Sequence, residues 1–340
     1  MVAQSQTITS TRESLWQIIN AYQISQFVYV ASKLGIADLL KDGPKHYAEL
    51  AKMSGSDPNA LFRLLRALAS VGIFNQPEKE RFELNELSAY LCQDAPGSLR
   101  SSAIASVEFP YPVFGHLLYS VKTGGSAFDD LHGMSMWQYF AQNPEARKAF
   151  DETMSEGSRV SAAAIVNAYD FSRFDRIVDV GGGQGVLIAS ILKANPSVRG
   201  TLFDQEQVVK GVKELLKGAG VSERCETVAG SFLERVPGGG DAYILKDVIL
   251  DWKDHEALQI LRNCRQAMKV NKTLLIVERN IESDKPTVEA IQADMRLMVM
   301  NGGRERTREE FQALLSRAGF ELTHVIPTLS PYQIVEGRSI

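Results

Sequence analysis

The run Val178-Asp179-Val180-Gly181-Gly182-Gly183-Gln184-Gly185 constrains this chain more than any other stretch. A β-branched segment, Ile177 to Val180, leads into it, and a helical pattern, Val186 to Lys193, leads away. A strand, a loop of small residues and a helix together let backbone N–H groups approach a nucleotide-like ligand. The spacing is Asp-x-Gly-x-Gly-x-Gly, and Val186 stands where a dinucleotide fingerprint would need Gly or Ala. Asp204, nineteen residues beyond Gly185, closes a second strand-like run, Thr201 to Asp204. A carboxylate there can hold both hydroxyls of a ribose, so the pattern points to a nucleoside cofactor.

Composition narrows the partners. The chain has 340 residues, enough for two domains with cores of their own. With 44% hydrophobic and 23% charged residues it reads as an ordinary globular protein. Its net charge of -4 offers no electrostatic footprint for nucleic acid. Cys92, Cys225 and Cys264 are scattered and odd in number, which suits free thiols in a reducing compartment. No apolar run suggests a membrane span, and residues 1–12 read as a polar tail without a signal peptide. A cytoplasmic protein without a membrane partner is expected. His46, His116, His132, His255 and His324 are dispersed, so no metal site is expected.

The chain divides by pattern. Apolar residues recur at helical spacing from Ser14 to about Leu40 and cover more than one side, as suits an interface helix. Asp57-Pro58 starts a helix over Asn59–Val71, and Ile73-Phe74 with Arg81–Leu84 flank a turn as a hairpin would. That is a winged-helix pattern over 13–96. Only Arg63 and Arg66 offer charge on its second helix, too few to grip a phosphate backbone, so dimerisation is the expected role. Residues 97–170 read as helical and dense in aromatics, Phe114 and Trp137 among them; with Met154 they could line an apolar cavity. From 171 to 340 strands and helices alternate: strands at 176–180, 200–204, 225–229, 242–246 and 273–278, helices at 185–194, 206–218 and 254–268. A last helix, 308–318, and a hairpin of 321–326 with 333–336 follow. The alternation predicts a doubly wound, mostly parallel α/β sheet with an antiparallel end.

In such a sheet ligands bind beyond the carboxyl ends of the strands. Asp179, Gly181, Gly183, Asp204, Ser231, Phe232 and Lys246 all belong there by this assignment. Phe232 could stack on a purine, and Lys246 could pair with a carboxylate.

At these residues the chain resembles the plant caffeic-acid-type and bacterial small-molecule O-methyltransferases that use S-adenosylmethionine. The matching segments are Leu64–Leu68, Ser120–Gly124, Val178–Gly185, Ala242–Trp252 and Gly302–Thr307. The resemblance implies an N-terminal winged-helix dimerisation domain, a Rossmann-like catalytic domain of seven strands, and a homodimer acting on a small-molecule acceptor. It implies that Gly181 lines the methionine part of the cofactor, Asp204 holds the ribose, Phe232 packs on adenine and Lys246 lies near the sulfonium and carboxylate end. It also implies an acceptor pocket around Phe114, Met154, Leu250, Trp252, Asp294 and Met298. The family has an acid where this chain has Ser231, so the adenine amino group would be held differently.

The family's proton-accepting histidine is missing. It precedes Asp-Trp in a His-Asp-Trp segment, and here that segment reads Leu250-Asp251-Trp252. Glu278 and Glu305 match the family's two carboxylates, and with Asp251 they are the expected catalytic residues. O-methylation with an altered base is the leading expectation; the base could be Glu278, Glu305, Asp247, His116 or His132. Carbon or nitrogen methylation needs no imidazole, and a bacteriochlorophyll C-methyltransferase of similar sequence also lacks the histidine. A non-methylating enzyme that binds S-adenosylmethionine, or a DNA-binding regulator, are the remaining alternatives.

Overall fold

The computed structural model describes residues 11–279 and 287–340. The tail expected over 1–12 lies, as far as residue 10, outside the described residues. The chain folds as two compact units, one ending at Pro112 and the other spanning Val113–Ile340.

The first unit opens with the helix Thr11–Lys33. The single helix expected to reach Leu40 ends early: Gly35 adopts φ 67, a left-handed conformation that stops the helix, and a short helix Ile36–Leu39 follows. Leu15, Trp16, Ile18, Ile19 and Tyr22 are all more than half exposed on the first helix, so its apolar surface has no covering within this unit. Helices Tyr47–Ser54 and Pro58–Ser70 come next, the second capped by Asp57, whose carboxylate accepts from Ala60 N at 2.8 Å. Its Leu61, Leu65 and Leu68 are buried, as their spacing predicts. The wing has three strands, not two: β1 (Lys45–His46), β2 (Asn75–Glu78) and β3 (Arg81–Glu83), in the order β1-β3-β2. Ile73-Phe74 precede the strand, and Phe74 packs into the core.

The second unit begins with helices that include Leu117–Thr123, Ala127–His132, Met136–Gln142 and the long Pro144–Ala168. Its sheet contains β4 (Arg176–Val180), β5 (Arg199–Asp204), β6 (Cys225–Ala229), β7 (Ala242–Lys246), β8 (Thr273–Arg279), β9 (Phe320–Pro327) and β10 (Tyr332–Ser339). The order is β6-β5-β4-β7-β8-β10-β9, parallel through β8, with β10 antiparallel to both its neighbours. The α/β class read from the alternation holds, and so does the seven-strand, mostly parallel sheet with an antiparallel end. From β4 the chain winds one way to β5 and β6 and then the other way to β7 and β8. The crevice between β4 and β7 is therefore the switch point where ligands bind. Both faces of the sheet are covered. Leu187, Ile188, Ile191 and Leu192 of helix Val186–Ala194 pack on one, and Ala257, Leu261 and Cys264 of helix Asp254–Ala267 on the other.

Two elements depart from the sequence pattern. The helix expected over 206–218 is interrupted at Gly211, giving Glu206–Val209 and Val212–Gly218. A helix at Val288–Met300, to which no helix was assigned, runs between β8 and the Gly302 loop. No helix among the described residues is long and apolar enough to cross a membrane.

Candidate active site

β4 carries a polar residue into a buried strand. Asp179 is 1% exposed, and its Oδ2 has no hydrogen-bond partner among the described residues. Beyond the strand the chain turns through Gly181 (φ 72), Gly183 (φ 55) and Gly185 (φ 84), a sequence of left-handed steps that side chains rarely permit. At Gly181 an added Cβ would sit 2.8 Å from Val248 Cγ2, while at Gly183 it would meet nothing within 4 Å. The first glycine is required by close packing, the second by backbone conformation at an open wall. Asp204, ending β5, ties the loop down: Gly183 N donates to its Oδ2 at 2.9 Å and Gln205 N to its Oδ1 at 2.7 Å.

These residues frame a cleft of about 920 Å³ at the switch point. Asp179, Gly181, Gly183, Asp204, Phe232 and Lys246 all line it, six of the seven residues expected to hold the cofactor. Ser231 lies in an adjoining hollow with Gly230, Phe232 and Trp252. The orphaned Asp179 oxygen, the open glycine wall and the fixed Asp204 carboxylate suit a ligand with hydroxyl and amino donors. Burial, with Asp204 nearby, raises the Asp179 carboxyl to about 7; burial also raises Asp204.

The cleft has a second wall, in which Met154 and Trp137 of the expected apolar cavity stand beside polar residues that no local pattern announced. The helix Pro144–Ala168 turns Arg147, Asp151, Met154, Ser155 and Ser158 toward it, residues three or four apart on one face. Arg147 donates to Asp151 at 2.8 Å, Gln184 of the glycine loop donates to Asp151 at 3.4 Å, and Lys246 Nζ lies 3.3 Å from Ser158 Oγ. Aromatic rings continue the wall. Trp137 stacks on Trp252 with centroids 6.1 Å apart and planes at 18°, Phe232 meets Trp252 edge-on at 5.8 Å, and Phe150 meets Trp137 at 5.9 Å.

The expected catalytic carboxylates divide into two layers. Asp251 lines the cleft and accepts from Asn301 Nδ2 at 2.7 Å. Burial raises it to about 7 against that hydrogen bond, with Asp247 adding to the rise. Glu278 and Glu305 lie behind the 3-10 turn Ile249–Asp251, almost wholly buried, each with one oxygen unpartnered. Glu278 Oε1 accepts from Leu250 N at 2.8 Å, so it braces the turn at the very residue that replaces the histidine. Burial, with Glu305 next, pushes Glu278 well above the usual range; burial and Asp247 bring Glu305 to about 8. Arg306, 1% exposed, holds the same turn through Ile249 O and Trp252 O, each at 2.8 Å.

Of the residues expected around the acceptor, Met154 and Trp252 line the cleft. Leu250 is buried in the turn, and Asp294 accepts from Glu305 N at 2.9 Å; neither they nor Phe114 and Met298 belong to the cleft wall. The alternative histidines stand apart from it: His116 pairs with Asp130 at 2.7 Å, and His132 packs on Phe128 and Tyr139. His255 is exposed on its helix. The residues missed by sequence reasoning are Gln184, which sits unremarked inside the glycine motif, and Arg147, Asp151, Ser155, Ser158 and Gln205, which come from a helix and a loop with no motif of their own.

An open α/β sheet with a glycine loop at its switch point, a carboxylate at the end of the next strand and a layered set of buried acids has the layout of a nucleoside-dependent group-transfer enzyme. The family models place it further: residues 16–94 match an O-methyltransferase dimerisation domain and residues 114–321 an O-methyltransferase domain. The chain is 41% identical to a phenazine O-methyltransferase of Lysobacter antibioticus over 326 residues, 96% of each chain. It is 34% identical to an 8-amino-8-demethylriboflavin N,N-dimethyltransferase of Streptomyces davaonensis over 96% of this chain and 95% of that one. Among solved structures, mitomycin 7-O-methyltransferase superposes with a TM-score of 0.92 at 36% identity, covering 97% and 98% of the two chains. The neocarzinostatin-pathway O-methyltransferase, solved with S-adenosylmethionine and 2-hydroxy-5-methyl naphthoic acid, gives 0.86 at 29% identity over 93% and 96%. The chain belongs to this O-methyltransferase family and is an S-adenosylmethionine-dependent methyltransferase.

Proposed function

We propose that the protein methylates a hydroxyl of a small aromatic natural-product acceptor, with Asp251 taking the proton. The observation that carries this reading is Asp251 itself, the one expected catalytic carboxylate on the cleft wall, raised by burial to about 7. A base with a pKa near the working pH combines an adequate ionised fraction with an adequate proton affinity. Glu305, at about 8, holds its proton at neutral pH, and burial pushes Glu278 well above the usual range, so those two fit the roles of support and proton reserve. The near-parallel indoles of Trp137 and Trp252 favour a flat acceptor.

In this reading Asp204 binds the ribose, Phe232 packs on the adenine, and Asp179, Gly181, Gly183 and Lys246 surround the methionine arm, with Ser231 at the adenine edge. S-adenosylmethionine supplies an electrophilic methyl, leaving S-adenosylhomocysteine. The chain's own part is to hold the acceptor in line, exclude water behind the aromatic wall and receive one proton on Asp251. Residues 13–96 act as the dimerisation domain and 171–340 as the catalytic domain, with 97–170 forming the acceptor side. The exposed apolar residues of the first helix support a homodimer.

Nitrogen methylation is the second reading. It is favoured by Leu250, which puts an apolar side chain where proton transfer to imidazole would occur, and by the N,N-dimethyltransferase relative. An amine attacks through its lone pair and sheds its proton afterwards. Incubating the enzyme with methyl-labelled S-adenosylmethionine and fractionated bacterial extract, then reading the labelled atom by mass spectrometry and NMR, separates the two. Label on oxygen supports the first reading; label on nitrogen alone overturns it. In the O-methylation case Asp251→Asn is expected to lower turnover by about 10²-fold or more, with S-adenosylmethionine affinity unchanged.

A further inference from the structure

Asp247 differs from the other carboxylates of the cleft. It directly follows Lys246 at the end of β7 and has φ 54, one of two left-handed non-glycine residues among those described. Such strain in an L residue persists where the surroundings enforce it, and it gathers at functional sites. The side chain is 9% exposed, and its two oxygens are treated differently. Lys246 Nζ and the Tyr332 hydroxyl (2.9 Å) both donate to Oδ2, with the ammonium 4.6 Å from the centre of the Tyr332 ring. No donor among the described residues meets Oδ1, although the residue lines the cleft. Oδ1 is not among the sealed, unpartnered side-chain oxygens of the described residues, so it is open to the cleft, where the donor of a ligand can reach it.

The strand order indicates which ligand arrives there. Asp204 ends β5, the glycine loop follows β4 and Asp247 follows β7. At about 4.8 Å per strand, Asp247 stands roughly 10 Å along the sheet from Asp204. A nucleoside held by its ribose at β5, with its base toward β6, extends its other arm across β4 to β7. Its reacting end arrives beside Asp247.

We propose that Asp247 is an acceptor-binding residue. Its free Oδ1 takes a hydrogen bond from the O–H or N–H of the bound acceptor at the point of methyl delivery, while Lys246 and Tyr332 fix the other oxygen; the single proton of a phenol held there passes to Asp251 only as the methyl arrives. The acceptor class that follows is a phenol or a primary or secondary amine, and a ring nitrogen without hydrogen or a carbon nucleophile is excluded. The inference rests on the methyl-transfer reading but not on Asp251 being the base.

The test needs no knowledge of the acceptor. Sinefungin, a cofactor analogue, carries a primary ammonium in place of the methylated sulfonium and so presents a cationic donor where the methyl is delivered; S-adenosylhomocysteine has none. Both are titrated by calorimetry into wild type, Asp247→Asn, Tyr332→Phe and Asp251→Asn. The expected result is a wild-type preference for sinefungin of about tenfold or more. It should be lost in Asp247→Asn, weakened in Tyr332→Phe and kept in Asp251→Asn, with S-adenosylhomocysteine affinity the same in all four. A preference that survives Asp247→Asn overturns the proposal, as does a wild type without one. Equal loss of affinity for both ligands in Asp247→Asn also overturns it, since that marks a structural role. Loss confined to Asp251→Asn moves the contact to Asp251 and leaves the methyl-transfer reading intact. A wild type that binds neither ligand counts against the cofactor cleft itself.

Discussion

Asp204 and Asp251 have the same side chain and, in the proposed function, opposite tasks, and their surroundings account for the difference. Asp204 accepts two backbone N–H groups and keeps an oxygen edge in the cleft. Removing it by Asp204→Ala should weaken S-adenosylmethionine binding by about 10- to 100-fold, the usual scale for hydrogen bonds to a charged group, read by calorimetry. Asp251 titrates near 7. Only its ionised form accepts a proton, so kcat/KM is expected to rise with pH through about 7 and level off above 8, and Asp251→Asn should abolish that limb. Stability runs the other way. Asp179, Asp251 and Glu305 bind protons more tightly folded than unfolded. Between about pH 4 and pH 8 the native state then holds more protons, and stability falls as pH rises. The cofactor-free Tm should be lower at pH 8.5 than at pH 5.5, and an unchanged Tm would remove the raised carboxyls from the account. At this scale the sequence was legible where a motif fixes a backbone task, as with Gly181, Gly183 and Asp204. Asp247 was legible only as one carboxylate among several. Its backbone angle and its partner Tyr332, 85 residues away, depend on how β8 holds β7 and β10 in one sheet.

The turn Ile249–Asp251 and the Gly302 loop work as one element. Arg304 N donates to Leu250 O at 2.9 Å, and a Cβ on Gly303 would lie only 2.1 Å from that same oxygen. Gly303→Ala must therefore push the turn away from the loop. A fall in turnover of about tenfold or more is expected, since small misplacements of reacting groups are costly, with cofactor affinity retained because the glycine loop is untouched. Arg306 binds two carbonyls of the turn and Asp254 at 3.0 Å. Arg306→Met strands those carbonyl acceptors and should cost about 1–3 kcal/mol of stability, measurable by denaturant unfolding. Elements with a clear period were readable in advance, as the buried stripe of helix Asp254–Ala267 shows. The breaks at Gly35 and Gly211 were not, because a glycine inside a helical pattern is tolerated as often as it terminates one. The helix Val288–Met300 was missed although its residues are good helix formers. Its apolar residues form no clean stripe, and only its last two are buried.

For the whole molecule, the two-part organisation follows from a change of period: helical spacing in the first part and alternating strands and helices in the second. Neither period reveals how large an apolar surface stays uncovered. Trp16, Ile18 and Ile19 are exposed by 63%, 71% and 56%, a cluster a monomer would rarely leave open. Trp16→Glu combined with Ile18→Glu should shift the protein from dimer to monomer in analytical ultracentrifugation. A wild type that sediments as a monomer at micromolar concentration would remove the homodimer. The place of β10 in the sheet also bears on the order of synthesis. It is made after both of its neighbours, yet it lies inside the sheet between β8 and β9. While the ribosome still covers residues 332–339, β8 and β9 can neither meet nor finish the sheet, and β8 presents an open edge to the cell. Tyr332 travels with that strand. The wall that grips Asp247 thus closes only once β10 has followed β8 and β9 out, well after the glycine loop has emerged.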